Sequence, residues 1–166
     1  MRTPVLSSEL WWRCKRQYPK CTTFIIEDHS YACLSERDVR AVAKLFRRLQ
    51  WATSILSGMA AWRWTPRNDC ENFSRLAACA ASAWYAGLRD STATAPGWGT
   101  LKYRRPVEDF TMFSDDPVVY KGTHPEWHTA NVVLTEDGGL RVWEPQERDW
   151  LPLALPERLT VTQVIF

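Results

Sequence analysis

Residues 35–49 carry the strongest hydrophobic period in the chain. Val39, Val42, Leu45, Phe46 and Leu49 recur at helical spacing, while Arg37, Lys44 and Arg48 fall on the opposite side. Ser35 and Asp38 mark the start as a capping box with aspartate in place of the usual glutamate. The apolar stretch over residues 51–64 is expected to continue helical until Pro66 stops it. A second helix follows Asn68 and Glu71, an N-x-x-E cap, with Phe73, Leu76, Ala77, Ala80 and Trp84 on one face and Gly87 as its stop. Its alanine-rich middle permits close packing against neighbours.

Strand patterns come later in the chain. Residues 128–135 and 140–144 flank Asp137-Gly138-Gly139, a strong hairpin signal, and residues 159–166 alternate well enough to form a last strand. Between the helices and the hairpin, residues 88–127 read as a long connection with only short strand candidates at 101–103 and 118–120. The N-terminal 34 residues show one strand candidate, at 22–26, and three of the five cysteines. The order predicts one α+β domain over residues 1–166: a Cys-containing segment to 34, a helical part at 35–87, the connection, and antiparallel strands from 128.

Composition narrows the partners. With 21 basic and 19 acidic residues the charge nearly balances, so no pull toward nucleic acid is expected. No apolar run reaches the roughly 20 residues of a membrane helix, and the first ten residues lack the apolar core of a secretory signal. Five cysteines without an export signal read as reduced thiols of a cytoplasmic protein. The ten tryptophans leave candidates for a binding groove among Trp84, Trp98, Trp127, Trp143 and Trp150. Of these, Trp84 and Trp143 suit the core, and Trp98, in P-G-W-G, suits an exposed loop.

Candidate chemistry centres on Cys70 and His128. A helix N-terminus offers unpaired N–H groups and a positive dipole end, which favour a thiolate and can hold an oxyanion. Cys70 falls in the first turn of the second predicted helix, although Asp69 and Glu71 beside it oppose thiolate formation if they point inward. A free cysteine is also a common small core residue. His128 opens the best predicted strand, where a base is held rigidly; a histidine satisfied by backbone at a strand edge is the plainer alternative. A third group should bond the other ring nitrogen and fix the tautomer. Glu144 and Gln146 stand on the partner strand, with Asn131 behind them. An Asp-Gly-Gly turn in ideal register pairs Glu144 with Val132, on the face of His128 but roughly 13 Å along the strand. Gln146 lies nearer, and a bulge or strong twist brings Glu144 into reach.

These segments resemble the papain-like and transglutaminase-like cysteine peptidase superfamily, in a short bacterial or phage-type form. D-C-E-N-F resembles its cysteine motif, and H-T-A-N-V-V-L followed by D-G-G-L-R-V-W-E-P resembles its histidine strand, turn and third-residue strand. The resemblance spans residues 68–146. It implies a helix bearing the Cys packed on a small antiparallel sheet, and thiol-dependent hydrolysis of a peptide, isopeptide or carboxamide bond without a cofactor. The sixteen-residue step from His128 to Glu144 favours Glu144 as third member under this resemblance. E-P-Q departs from the usual Asp or Asn setting, and the oxyanion partner is left among Gln50, Trp62 and Trp64. Phage-type relatives described as lectin-like imply the alternative, an inactive or altered domain that binds glycan or peptide through Trp98, Trp127 and Asn131.

Two further readings compete. Short Cys/His amidases often carry a second histidine soon after the first, and none follows His128. Cys14, Cys21, His29 and Cys33 have zinc-ligand side chains but lack paired C-x-x-C spacing, so no metal is assigned.

Overall fold

The computed structural model describes residues 4–56, 58, 70–88, 92–112, 118–153 and 155–166. The chain opens with β1 (Val5–Leu6), α1 (Ser7–Gln17), β2 (Thr23–Ile25) and β3 (Ser30–Ala32). Two long helices follow, α2 (Glu36–Leu56) and α3 (Cys70–Ala86). A strand region then runs through β4 (Ala95–Pro96), β5 (Trp98–Met112), β6 (Val118–Leu134), β7 (Leu140–Glu144) and β8 (Asp149–Leu151). The short α4 (Leu155–Arg158) and β9 (Gln163–Ile165) end it. The fold is α+β.

Both helix signals are realised where they can be followed. The Asp38 amide donates to Ser35 Oγ at 3.1 Å and the Ser35 amide to Asp38 Oδ2 at 2.8 Å, a reciprocal cap that satisfies two orphan donors of α2. Trp51 continues α2 directly, as the pattern predicts, up to Leu56. Pro66, Asn68, Asp69 and the tryptophans at 62 and 64 lie outside the described residues. α3 ends at Ala86, one residue before Gly87, whose amide donates to the Trp84 carbonyl.

A mixed six-stranded sheet of order β2-β9-β5-β6-β7-β8 forms the centre, beside a three-stranded sheet β1-β3-β4. β2 runs parallel to β9, and the other neighbours in the large sheet are antiparallel. One face buries Leu101, Tyr103, Ala130, Val132, Leu134 and Val142 with Leu10, Cys14 and Tyr18 of the α1 region. The other buries Trp98, Val133 and Trp143 under Val42 and Phe46 of α2 and Phe73, Ala77, Ala80 and Ala81 of α3. Each fully buried aliphatic or Phe side chain contributes roughly 1.5–3 kcal/mol, so the sheet is held from both sides.

The structure corrects the sequence reading in several places. α1 is a helix in the N-terminal segment, where the sequence offered only the strand candidate at 22–26. Its inward stripe is Leu10, Cys14 and Tyr18 at i, i+4 and i+8, and Cys14 is a type easily counted as a metal ligand rather than as apolar. Cys14 and Cys21 accordingly sit in the core, and burial pushes the thiol of Cys14 up to about 12. No group of three or more candidate metal ligands gathers among the described residues.

The expected long connection is instead mostly β5 and β6, paired from Trp98↔Val133 out to Met112↔Val118 with one irregularity after Glu108. His128 therefore lies well inside β6 rather than at a strand start. Pro106 faces Pro125 in that ladder, so the prolines that mark a break in sequence are accommodated opposite each other. Trp98 is 5 % exposed and packs edge-on to Trp143 at 5.1 Å, not on an exposed loop. The last strand, expected over 159–166, is shorter: β9 takes only Gln163–Ile165, because the chain is still turning at residues 159 and 160.

Candidate functional site

Cys70 is the first residue of α3 and is half-buried. Two contacts fix this end of the helix to β6. Ser74, one turn on from Cys70, donates through Oγ to the Thr129 carbonyl at 2.9 Å. Asn131 Nδ2 donates to the Ser74 carbonyl at 3.0 Å and to the Gly99 carbonyl at 3.1 Å. The clamp grips the two odd-numbered residues that follow His128, so helix and histidine strand share one frame.

His128 is 1 % exposed, with the Tyr103 ring edge-on to it at 5.6 Å. Its Nε2 meets Glu144 Oε2 at 2.5 Å. The Cys70 side chain hydrogen-bonds the same imidazole, which leaves Nδ1 as the ring nitrogen facing the thiol. Burial pulls the His128 pKa down, but the hydrogen bonds to Cys70 and Glu144 and the Glu144 charge outweigh it. The net result is a rise from 6.5 to about 9, so the imidazolium is the form present at neutral pH.

Glu144 reaches His128 because the hairpin register differs from the ideal one. The ladder pairs Leu134 with Leu140 and Asn131 with Trp143, and the Thr135 amide donates to the Gly139 carbonyl at 2.9 Å, so the turn closes over residues 136–138 rather than 137–139. Thr135 and Gly139 are drawn into it by Asp137, whose Oδ1 accepts from Thr135 Oγ1 at 2.6 Å and from the Gly139 amide at 3.0 Å. Gly138 supplies a φ of 76° there. The slip is two residues, which keeps Glu144 on the face of His128 and brings it next to Ala130. Two residues of strand are roughly 6.6 Å, a span two long side chains close without a bulge.

The E-P-Q segment holds the carboxylate. Pro145 has no amide to extend β7, and the chain turns through Arg148 at φ 62° back to Asp149, which pairs with Glu144. Inside that turn the Gln146 amide donates to Glu144 Oε1 at 3.0 Å, so the second carboxylate oxygen is fixed as well. Glu144 is 3 % exposed. Gln146 thus supports the third residue and does not replace it. Its side-chain Nε2 is buried and has no hydrogen-bond partner among the described residues.

Of the other expected site residues, Asn131 is a buried clamp rather than a ligand-facing group, and Trp98 is core. Trp127 stays 43 % exposed. Gln50 is buried on α2, while Trp62 and Trp64 lie outside the described residues. Glu71 pairs with Arg75 at 2.5 Å and so is held by a cation along the helix. Ser74 and Tyr103 were missed. Each had a signal: Ser74 is a hydroxyl on the buried face of an Ala-rich helix, and Tyr103 alternates with Leu101.

No protein-family model and no curated protein matches the chain. Solved structures are similar to it. A structure described as the PSL1a-E64 complex superposes with a TM-score of 0.63 at 14% identity, covering 98% of this chain and 50% of that one. A crystal structure of Polyporus squamosus lectin bound to the human-type influenza-binding epitope Neu5Aca2-6Galb1-4GlcNAc gives a TM-score of 0.60 at 14% identity, covering 98% and 49%. The chain spans about half the length of these neighbours, and the likeness is one of fold.

Proposed function

We propose that this chain is a papain-like or transglutaminase-like domain that performs thiol-dependent acyl transfer, most simply hydrolysis of a peptide, isopeptide or carboxamide bond. The observation that carries this is the continuous hydrogen-bonded chain from Cys70 through His128 to Glu144. In this reading Cys70 Sγ, as thiolate, attacks the carbonyl carbon. Amides of the first turn of α3 stabilise the tetrahedral oxyanion. The His128 imidazolium gives its proton to the departing amine, and the C–N bond breaks to leave a thioester on Cys70. Neutral His128 then takes a proton from water, whose oxygen attacks the thioester. Its collapse releases the carboxylic acid, and the thiolate–imidazolium pair returns. Glu144 orients the ring and stabilises the imidazolium throughout.

A glycan-binding module is the second reading. The similar structures include a lectin with its glycan, and this supports the binding alternative more than it supports catalysis. Glycan binding belongs to that protein, half of which this chain spans.

The pH dependence of alkylation by iodoacetamide, with the modified cysteine found by mass spectrometry, separates the two. Selective labelling of Cys70 with an apparent pKa well below about 8.5 is expected for an activated thiolate. Labelling no faster than at Cys33 or Cys79 sinks the catalytic reading. Binding of Neu5Aca2-6Galb1-4GlcNAc that survives Cys70→Ala would then support the second. E64, the compound in complex with PSL1a, is a further probe, expected to bind in a way that Cys70→Ala abolishes.

A further inference from the structure

The inward stripe of α1, Leu10, Cys14 and Tyr18, leaves Trp11, Trp12, Lys15 and Arg16 on its outer flanks. Trp12 is 67 % exposed and Trp11 38 %. The spacing sets Lys15 beside Trp11 and Arg16 beside Trp12, one helical turn apart. Trp11 also meets Phe24 of β2, with 6.1 Å between ring centroids, and Lys15 Nζ lies 5.6 Å from the centre of the Phe24 ring. Trp12, Lys15 and Arg16 border an open hollow of about 440 Å³ together with Glu9 and Arg13. Aromatic rings and cations thus form one continuous face.

The charge of that face is positive. Arg13 binds Glu9 and also donates to the Gly138 carbonyl, so the one acid bordering the hollow is already taken. Lys15 and Arg16 join no ion pair among the described residues. The indoles of Trp11 and Trp12 stand 4.9 Å apart with their planes 85° to each other, so they offer no shared flat platform on which a sugar ring could stack. A lipid headgroup layer sets no such condition. It takes the amphipathic indole with its ring body toward the acyl chains and its N–H in the polar layer, and its anionic headgroups attract lysine and arginine. Exposed apolar groups rimmed by charge in this way mark a contact surface.

We propose that the outer face of α1 docks on an anionic lipid surface, with Trp11 and Trp12 in the headgroup layer and Lys15 and Arg16 on headgroup phosphates and carboxylates. No helix among the described residues is long and apolar enough to cross a membrane, and the proposed contact is peripheral. It rests on α1 and β2 and not on the thiol-hydrolase reading.

The test is cosedimentation of the full chain with vesicles of phosphatidylcholine alone or of equal parts phosphatidylcholine and phosphatidylserine. The protein is expected to pellet with the mixed vesicles at low ionic strength, to stay in solution with the neutral ones, and to be released as salt rises. Lys15→Gln/Arg16→Gln should weaken the partition roughly thirtyfold, from about fivefold per cation. Trp12→Ser should weaken it as well, with the melting temperature unchanged because the ring is mostly exposed, which separates loss of docking from loss of fold. No pelleting with the mixed vesicles, equal pelleting with both kinds, or binding that survives either substitution overturns the proposal. Fluorescence polarisation with labelled oligoglutamate and with labelled Neu5Aca2-6Galb1-4GlcNAc covers other acidic partners. Binding of either that Lys15→Gln/Arg16→Gln removes, while vesicles do not bind, also overturns it and gives the face to an acidic peptide or glycan.

Discussion

Asn131 reaches across from β6 to the carbonyl of Ser74 at 3.0 Å and ties the cysteine helix to the strand that carries His128. The same amide group holds the Gly99 carbonyl of β5 at 3.1 Å, so one side chain joins three elements. Asn131 is fully buried, and in such a place a lost partner is felt in full.

Asn131→Ala should therefore destabilise the protein by about 1–3 kcal/mol for the carbonyls it strands. Urea unfolding measures this. Because the clamp positions Cys70 against His128, the alkylation rate of Cys70 at neutral pH should fall in the folded variant too. An unchanged rate would mean that α3 is placed by its apolar face alone.

Cys70→Ala should leave the melting temperature within a few degrees of the parent, since the thiol is only half-buried and its bonding partner His128 keeps Glu144. Selective labelling and any acyl transfer should vanish together. A large drop in stability would instead mark Cys70 as a packing residue.

Gly99→Ala is expected to be among the costlier single-methyl additions. A Cβ at Gly99 would lie 2.2 Å from the Ile165 carbonyl oxygen, which is backbone of β9 and has little room to yield. Separation of β9 from β5 would expose the end of the α1-side core around Val164. The expected loss exceeds roughly 2 kcal/mol, and urea unfolding with a normal transition midpoint would refute it.

Local signals carried much of this molecule. The Ser35–Asp38 box, the apolar stripe of α2, the Gly87 stop and the Asp-Gly-Gly hairpin are each decided within a few residues, and each was readable. The same holds for Cys70 at the start of α3, whereas His128 was read at a strand start and lies inside β6. What was not legible depends on pairing between distant segments. β5 and β6 are long because they pair with each other, not because residues 104–126 alternate. The Glu144 contact hinges on a two-residue slip that Asp137 and Thr135 settle within the turn. Trp98 looked like a loop residue because P-G-W-G reads as a turn, yet Trp143 and α2 close over it. α1 was missed because Cys14, in the middle of its inward stripe, drew attention as a metal-ligand type rather than as apolar surface.

The raised pKa of His128 makes a prediction with a defined direction. Its value is about 9 in the folded chain against 6.5 for an unperturbed imidazole. The folded state therefore binds this proton more tightly, and the associated stability is fully present below pH 6.5. It declines as pH rises through about 9, by an amount on the order of 3 kcal/mol. Stability from urea unfolding should follow that course, and the His128 ring protons should titrate near 9 in an NMR series. Catalysis in the proposed mechanism needs the imidazolium to protonate the leaving amine, so kcat/KM should also fall on the alkaline side near pH 9. Glu144→Gln keeps an oxygen acceptor for the ring but removes the charge that favours the imidazolium. Its alkaline limb and its stability decline should both move to lower pH. A wild-type His128 that titrates near 6.5, or a Glu144→Gln profile superimposable on the parent, would show that the carboxylate does not govern the proton on His128.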